Sequence, residues 1–131
     1  MTGNLVLNSN AVIAYRAGNT EVCTLIDEAG KSFLPVIVLG ELYFGALKSS
    51  QKQKNLDAIE SFKKYSEIIV VDEYIATEYA TIRLELKKKG TPIPENDIWI
   101  AATTKTLDVS LLSNDAHFNY VDGIKVIKWQ Q

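Results

Sequence analysis

Short apolar segments alternate with longer segments of helical periodicity, and this alternation limits the possible folds more than any other feature of the chain. The apolar runs cover residues 5–7, 32–34, 68–71, 109–112 and 125–128. Runs of this length are typical of buried strands, and the helical segments between them are typical of crossover connections. The pattern predicts βα units and therefore an α/β fold with a mostly parallel central sheet.

The helical segments have recognisable ends. Residues 72–89 place apolar side chains on one face, begin with acids, end with lysines and are followed by Gly90, a typical residue after a last helical turn. A proline-containing connector leads into a second predicted helix from Glu95 to about Leu107. The segment around Leu56 is predicted to form another amphipathic helix. Because no repeat or flexible linker divides the sequence, we expect a single domain over residues 1–131.

Composition excludes several classes of protein. The formal net charge of −2 argues against a nucleic-acid binder that works by bulk electrostatics. The apolar stretches are too short for a membrane span and the N-terminus does not resemble a signal peptide, so we expect a cytoplasmic protein. Cys23 is the only cysteine, so no internal disulfide can form; we expect it in the core. With one cysteine and one histidine, the sequence does not predict a zinc site.

The stretch LVLNSNAVIAY places Asn8, Ser9 and Asn10 where the first predicted strand enters a helix. Asparagine and serine are favoured helix N-caps, and capping alone would explain them. Ligands of open α/β sheets, however, bind at the carboxyl ends of the strands. The three polar residues are therefore candidates for a site as well as for a cap.

Glu41 is the only charged residue between Lys31 and Lys48. It lies in a predicted helix over 36–47 that is apolar on almost every side, which predicts a helix buried all round. An unpaired carboxylate in such a helix would cost several kcal/mol, so Glu41 needs a cationic partner, a proton or a cleft to point into. No lysine or arginine lies within one helical turn of it, although a distant ion pair remains an alternative.

Two aspartates, like Glu41, lie beside apolar segments. Asp97 opens the helix in PENDIWIAATT, and Asp115 follows the strand in LLSNDAHF. Either could simply favour a helix N-terminus. His117 follows Asp115 closely, but no serine or cysteine nucleophile motif accompanies it, so we predict an ordinary surface or cap-packing role for this histidine.

Considered together, Asn8, Glu41, Asp97 and Asp115 all fall where the carboxyl edge of a parallel sheet could gather them. Carboxylates at about 4 Å repel each other by roughly 1 to 4 kcal/mol per pair, depending on the dielectric, and a divalent cation relieves that repulsion. A site built only from oxygen ligands suits Mg²⁺ or Mn²⁺ in contact with substrate phosphates.

These segments resemble the PIN-domain ribonucleases, and within them the VapC-like toxins of type II toxin-antitoxin modules. The resemblance covers nearly the whole chain and rests on LVLNSNAVIA, GELYFGA, PENDIWIAA and SNDAHF, in that order. In the family these segments correspond to LLDTNVLIA, a GEL tripeptide near Gly-Ala, P-x-N-D followed by IAA, and T/S-x-D-x-x-F. The resemblance implies a PIN-like three-layer α/β/α fold and an endoribonuclease that uses Mg²⁺ or Mn²⁺.

The resemblance also implies roles for particular residues. Glu41, Asp97 and Asp115 match three of the four acidic metal-site residues of the family, and Asn8 stands where the family has its first aspartate. The matches expected to support these residues through hydrogen bonds are Asn10, Asn96 and Ser113. An amide keeps the shape of a carboxylate but loses its charge, which could weaken metal binding by up to about 4 kcal/mol per opposing unit charge. We therefore expect ribonuclease activity to be severely reduced or absent.

The family further implies an RNA substrate, a homodimer and a cognate antitoxin that covers the active-site groove. The apolar helix over 36–47 and the helix near Leu56 are candidates for the antitoxin contact, while core packing within the monomer would explain the same pattern.

Two other classes of function compete with this interpretation. A PIN-fold module that binds antitoxin or RNA without cleavage is favoured by Asn8. A phosphoacceptor signalling domain would need an acid directly after a suitable strand; Asp72 is the acid after the third strand, and it is better explained as a helix cap.

Overall fold

The computed structural model describes residues 3–130, and over that range the predicted alternation of strands and helices is present. The elements, in chain order, are β1 (Leu5–Leu7), α1 (Ser9–Arg16), α2 (Thr20–Asp27), β2 (Ser32–Pro35), α3 (Val36–Leu47), α4 (Lys52–Lys63), β3 (Glu67–Ile69), α5 (Glu73–Lys89), α6 (Glu95–Leu107), β4 (Ser110–Leu112), a 3₁₀ helix (Ala116–Tyr120) and β5 (Lys125–Ile127).

The five strands form one sheet in the order β3-β2-β1-β4-β5, and every neighbouring pair is parallel. The predicted mostly parallel sheet is therefore confirmed. The chain builds the sheet outward from β1 to β3 on one side and then crosses over to β4 on the other. The carboxyl ends of β1 and β4 thus meet at the topological switch point, where ligands of such sheets bind.

The core lies on both faces of the central strands. Leu5, Val6 and Leu7 of β1 are all completely buried, although successive side chains of a strand point to opposite faces. Helices must therefore cover both faces of the sheet, which is the expected three-layer α/β/α arrangement. Leu111 and Leu112 of β4 are equally buried beside them.

Local signals at the helix ends act as the sequence indicated. The Asp72 carboxylate accepts a hydrogen bond from Ile75 N at 2.9 Å and so caps α5. Gly90 follows its last turn with φ of 70°, a left-handed conformation that glycine adopts without steric cost. The helix predicted from Glu95 to Leu107 is α6, with those same bounds.

The expected bounds of several strands need correction, and one helix was not predicted. The third strand ends at Ile69, so Val70 and Val71 lie beyond it and are 65% and 38% exposed. β4 begins at Ser110 and β5 ends at Ile127, each one residue inside the predicted run. Helix α2 was not predicted, because its short apolar face forms only two turns.

The expectation that α3 is buried all round is wrong. Its buried face consists of Val38, Leu39, Leu42 and Ala46. Phe44 and Leu47 lie on the other side and are 65% and 57% exposed. Core packing therefore explains only half of this apolar helix. Whether the other half is an interface remains a prediction.

Two smaller expectations concern burial and membranes. Cys23 is half-buried, with its thiol 3.5 Å from the carbonyl of Tyr15, and so lies at the margin of the core. Among residues 3–130, no helix has the length and apolar character required to cross a membrane.

Candidate metal centre

Asn8 connects the end of β1 to the end of β4. It is the N-cap of α1, with its side-chain oxygen accepting from Ser9 N at 2.9 Å. Its amide nitrogen donates to Ser113 Oγ, also at 2.9 Å. Both residues are buried, and both ends of the Asn8 amide are hydrogen-bonded. Asn8 is therefore a cap and, at the same time, part of the crevice at the switch point.

Ser113 also forms a hydrogen bond with Asp115. Its hydroxyl oxygen also accepts from Asp115 N at 3.0 Å, which fixes the turn that follows β4. Asp115 then caps the 3₁₀ helix, with its Oδ1 accepting from His117 N at 2.9 Å. The capping role considered for Asp115 is thus observed, and the cap lies in the same crevice as Asn8.

Asp97 is not a capping residue. Pro94 is the N-cap of α6 and makes no side-chain capping bond; the Asp97 carboxylate is instead 2.8 Å from His117 Nδ1. Only 7% of Asp97 is exposed. Burial raises the pKa of this carboxyl group, the negative charge of Asp115 raises it further, and the bond to His117 opposes both effects.

The surface or cap-packing role predicted for His117 is incomplete, because its half-exposed ring also contacts two carboxylates. Its Nδ1 lies 2.8 Å from Asp97 Oδ2 and 3.0 Å from Asp115 Oδ1, so the ring lies between the two carboxylates. The bond to Asp97, together with the charges of both acids, raises the pKa of His117 above its usual value. The 3₁₀ turn directly after Asp115 places the ring there.

Among residues 3–130, Glu41 has no cationic partner and instead lines a cleft. No ion pair to this residue is found within the described chain. Its Oε2 accepts a hydrogen bond of 3.5 Å from the amide of Asn96, and its Oε1 is buried without a hydrogen-bond partner. Burial is the main cause of the raised pKa of Glu41, the charges of Asp97 and Asp115 add to it, and the polar groups of Asn96 and Ser9 oppose it.

Asn10 stands apart from the other predicted residues. It lies in the first turn of α1, and its Oδ1 is buried with no hydrogen-bond partner in the described structure. The structure thus joins Asn8, Ser113, Asp115, His117 and Asp97 in one series of hydrogen bonds and joins Glu41 to Asn96. It leaves the Asn10 side-chain oxygen without a bond.

A cavity of about 970 Å³ extends from Glu41 between α1, α3 and α4. Leu42, Ala46 and Phe62 give it apolar walls, and Arg16 and Lys54 add positive charge to its lining. A groove of this size can hold a polypeptide segment or a nucleic-acid strand with one end at Glu41.

The ligand atoms fit a divalent metal ion. One ligand atom each from Asp97, Asp115 and His117 lie within 4.8 Å of one another. The unpartnered Glu41 Oε1 is a further oxygen donor whose burial is costly without a cation or a proton. Carboxylates crowded at one edge of a parallel sheet can therefore hold a metal where a phosphate-containing substrate could reach it.

His117 is the residue that sequence reasoning missed. The available signal was its position two residues after Asp115, in the first turn of a helix that Asp115 was expected to cap. Its second partner, Asp97, is 20 residues away and could not be inferred from spacing.

Fold and site together define a class of protein: a parallel α/β domain with an acidic cluster at the switch point between β1 and β4. Comparison with known proteins assigns this class. The PIN domain family matches residues 5–124 of the chain. Ribonuclease VapC2 of Haemophilus influenzae is 35% identical over 127 residues, which cover 95% of this chain and 96% of that protein. The tRNA(fMet)-specific endonuclease VapC of Shigella flexneri is 31% identical over 101 residues, 76% of either chain.

Solved structures also show this similarity to VapC proteins. The DNA-bound VapBC structure from Salmonella typhimurium includes a chain that superposes with a TM-score of 0.89 at 26% identity, covering 99% of this chain and all of that chain. VapBC2 from Rickettsia felis, bound to a promoter DNA fragment, gives 0.88 at 25% identity, covering 97% and 99%. The chain therefore belongs to the PIN-domain family, as a relative of the VapC ribonucleases.

Proposed function

We propose that this chain is a single-domain endoribonuclease toxin of a toxin-antitoxin module, acting in the cytoplasm with Mg²⁺ or Mn²⁺, and that Asn8 severely reduces or abolishes its activity. The observation that carries the proposal is the crevice at the switch point, where Asp97, Asp115 and His117 present ligand atoms within 4.8 Å of one another and the charges of both aspartates act on Glu41. Ribonuclease names among its relatives support RNA as the substrate.

In this proposal Glu41, Asp97 and Asp115 hold the ion, and Asn8 stands in the fourth position. A bound divalent ion would activate water and neutralise charge that develops on the scissile phosphate. Ser113 orients Asn8 and Asp115 through two hydrogen bonds, and Asn96 orients Glu41. Asn10 supplies an additional polar group at the start of α1.

Asn8 weakens the site for two reasons. It brings no negative charge, and its side-chain oxygen already accepts from Ser9 N while its nitrogen donates to Ser113. An aspartate at this position could keep the cap with one oxygen and offer the other to a metal. The Ser113 hydroxyl, which accepts from the amide, could donate to the carboxylate instead.

The proposed partners are an antitoxin and a second copy of the chain. The structural neighbours from Salmonella typhimurium and Rickettsia felis are VapBC complexes, which supports an antitoxin partner here. The groove that begins at Glu41 is the surface we assign to the antitoxin, because an occupant there would cover Glu41. The exposed apolar side of α3 is available for a further contact, such as that of a homodimer.

A non-catalytic PIN-fold module that binds antitoxin or RNA is the second candidate. One observation favours it: the hydrogen-bonded amide of Asn8 at the position where the resemblance places an aspartate. A fold that keeps the groove but lacks this charge could bind its partners without cleaving RNA.

The test compares the wild-type chain with Asn8→Asp for cleavage of a mixed RNA pool in Mg²⁺ or Mn²⁺, free of antitoxin, with a chelator as control. Asn19→Asp is a matched control variant, since Asn19 is the N-cap of α2 and the substitution adds the same charge elsewhere. We expect Asn8→Asp alone to gain chelator-sensitive cleavage, by orders of magnitude. If all three chains are folded and none cleaves RNA, the non-catalytic module is the better conclusion.

A further inference from the structure

The position of His117 Nδ1 gives the candidate metal centre a possible nitrogen ligand. It lies 2.8 Å from Asp97 Oδ2 and 3.0 Å from Asp115 Oδ1. In an octahedral site with metal–ligand bonds of about 2.1 Å, adjacent ligand atoms are about 3 Å apart. The three atoms thus have the spacing of neighbouring ligands around one ion.

Hydrogen bonds from the imidazole to the carboxylates would produce similar distances, so these distances alone do not distinguish a hydrogen-bonded imidazole from a metal ligand. Glu41 supplies a second argument: its Oε1 is buried with no hydrogen-bond partner, and the charges of Asp97 and Asp115 act on it. His117 approaches only Asp97 and Asp115 and forms no bond with Glu41 in the described structure. An ion bound by Asp97, Asp115 and His117 would place positive charge near the buried Glu41 oxygen that the histidine does not reach.

We propose that His117 is a metal ligand through Nδ1 and makes this centre prefer Mn²⁺ to Mg²⁺. The inference rests on the proposed function, because it concerns the same ion. A site with a nitrogen ligand binds the divalent first-row transition metals, Mn²⁺ the most weakly of them, whereas Mg²⁺ takes oxygen ligands and keeps several waters. Since Asn8 contributes no charge, a nitrogen ligand carries a larger share of the affinity.

The proton balance of this step is simple. Ligation needs the lone pair of Nδ1, so any proton that His117 shares with Asp97 is released or the ring retains a single proton on Nε2. The His117 side chain is 46% exposed, so part of the ring is in contact with solvent.

The sequence allows an unusually specific test, because His117 is the only histidine. The chain is purified without a polyhistidine tag, loaded with millimolar Mn²⁺ and studied by pulsed electron paramagnetic resonance. We expect a ¹⁴N coupling that changes to ¹⁵N when the protein is grown with ¹⁵N-histidine. His117→Asn should remove the coupling and lower the ratio of Mn²⁺ to Mg²⁺ affinity by about tenfold. Asn119→Ala, in the same 3₁₀ helix, should change neither.

Two results would overturn the inference. Bound Mn²⁺ without a histidine coupling would show that His117 is not a ligand, while leaving the proposed ion site in place. Absence of Mn²⁺ binding by the wild-type chain would also overturn it. The Asn8→Asp variant then separates the two claims: binding by that variant preserves the proposed function, and no binding means that both fail.

Discussion

At the scale of single residues, Asn8 shows how one side chain serves both fold and site. Its oxygen caps α1 and its nitrogen connects to Ser113, 105 residues away in sequence. From sequence, capping and a role in the site were alternatives; in the structure the cap is part of the crevice. Asp115 combines the two in the same way, because its cap is the bond to His117 N.

Ser113→Ala should destabilise the fold by about 1 to 3 kcal/mol, because it removes the acceptor of the buried Asn8 amide and of Asp115 N. Urea unfolding followed by circular dichroism measures this loss. Ser61→Ala, an exposed position on α4, is the control and should change the free energy of unfolding by less than about 0.5 kcal/mol. Equal effects of the two substitutions would contradict the importance of the Asn8–Ser113 bond.

Asn8→Asp should change stability in opposite directions with and without metal. Burial and neighbouring charge already raise the pKa values of Glu41 and Asp97, so another carboxylate should lower the melting temperature in chelator. Saturating Mn²⁺ should raise the melting temperature, because a ligand at a hundredfold excess over its Kd adds about 2.7 kcal/mol to the free energy of unfolding. Differential scanning fluorimetry measures both, and Asn19→Asp should show no metal-dependent difference from wild type.

At the scale of secondary-structure elements, the sequence predicted best where a local signal marks an end. Asp72 and Gly90 delimit α5 because capping and left-handed backbone are properties of single residues. The end of the third strand was misplaced because Val70 and Val71 are as apolar as strand residues, yet they lie outside the sheet and are 65% and 38% exposed. Likewise α3 is apolar on both sides, and sequence alone does not show that only one side faces the core.

Two glycines should respond oppositely to alanine. Gly90 has φ of 70°, where a Cβ is strained, so Gly90→Ala should destabilise by about 1 kcal/mol. Gly40 lies inside α3, and a Cβ added there meets nothing within 4 Å, so Gly40→Ala should stabilise by about 0.5 to 1 kcal/mol through helix propensity. Thermal or urea unfolding measures the two changes; a loss of stability in Gly40→Ala would mean that its surroundings are tighter than described.

At the scale of the whole molecule, the sheet order explains why distant residues meet. β1 and β4 are neighbours although more than 100 residues separate them, and their carboxyl ends bring Asn8 to Ser113. The acids were predictable as candidates from their positions inside an apolar helix, at the start of a helix and after a strand. The contact of Asp97 with His117 depends on how α6 packs beside the 3₁₀ helix, which no local pattern encodes.

The groove also belongs to this scale, and it gives a prediction about partner binding. Ile13 lines the groove and is 56% exposed, so Ile13→Ser should weaken binding of the cognate antitoxin by about tenfold or more without lowering the melting temperature. Isothermal titration calorimetry measures the affinity. Tyr74→Ser, which removes a similarly exposed aromatic outside the groove, should bind as wild type does. An unchanged affinity for Ile13→Ser would exclude the assigned surface.

The hydrogen bonds of Asn8 have a genetic consequence. Both hydrogen bonds of the Asn8 side chain can be kept by a carboxylate. An aspartate caps a helix as well as an asparagine does, and the Ser113 hydroxyl, which accepts from the amide, can donate to a carboxylate. Each asparagine codon differs from an aspartate codon only in its first base. Under the proposed function, one A-to-G transition restores the charge without any rearrangement of the fold, so a lineage that carries this gene keeps a silent toxin within one mutational step of an active one.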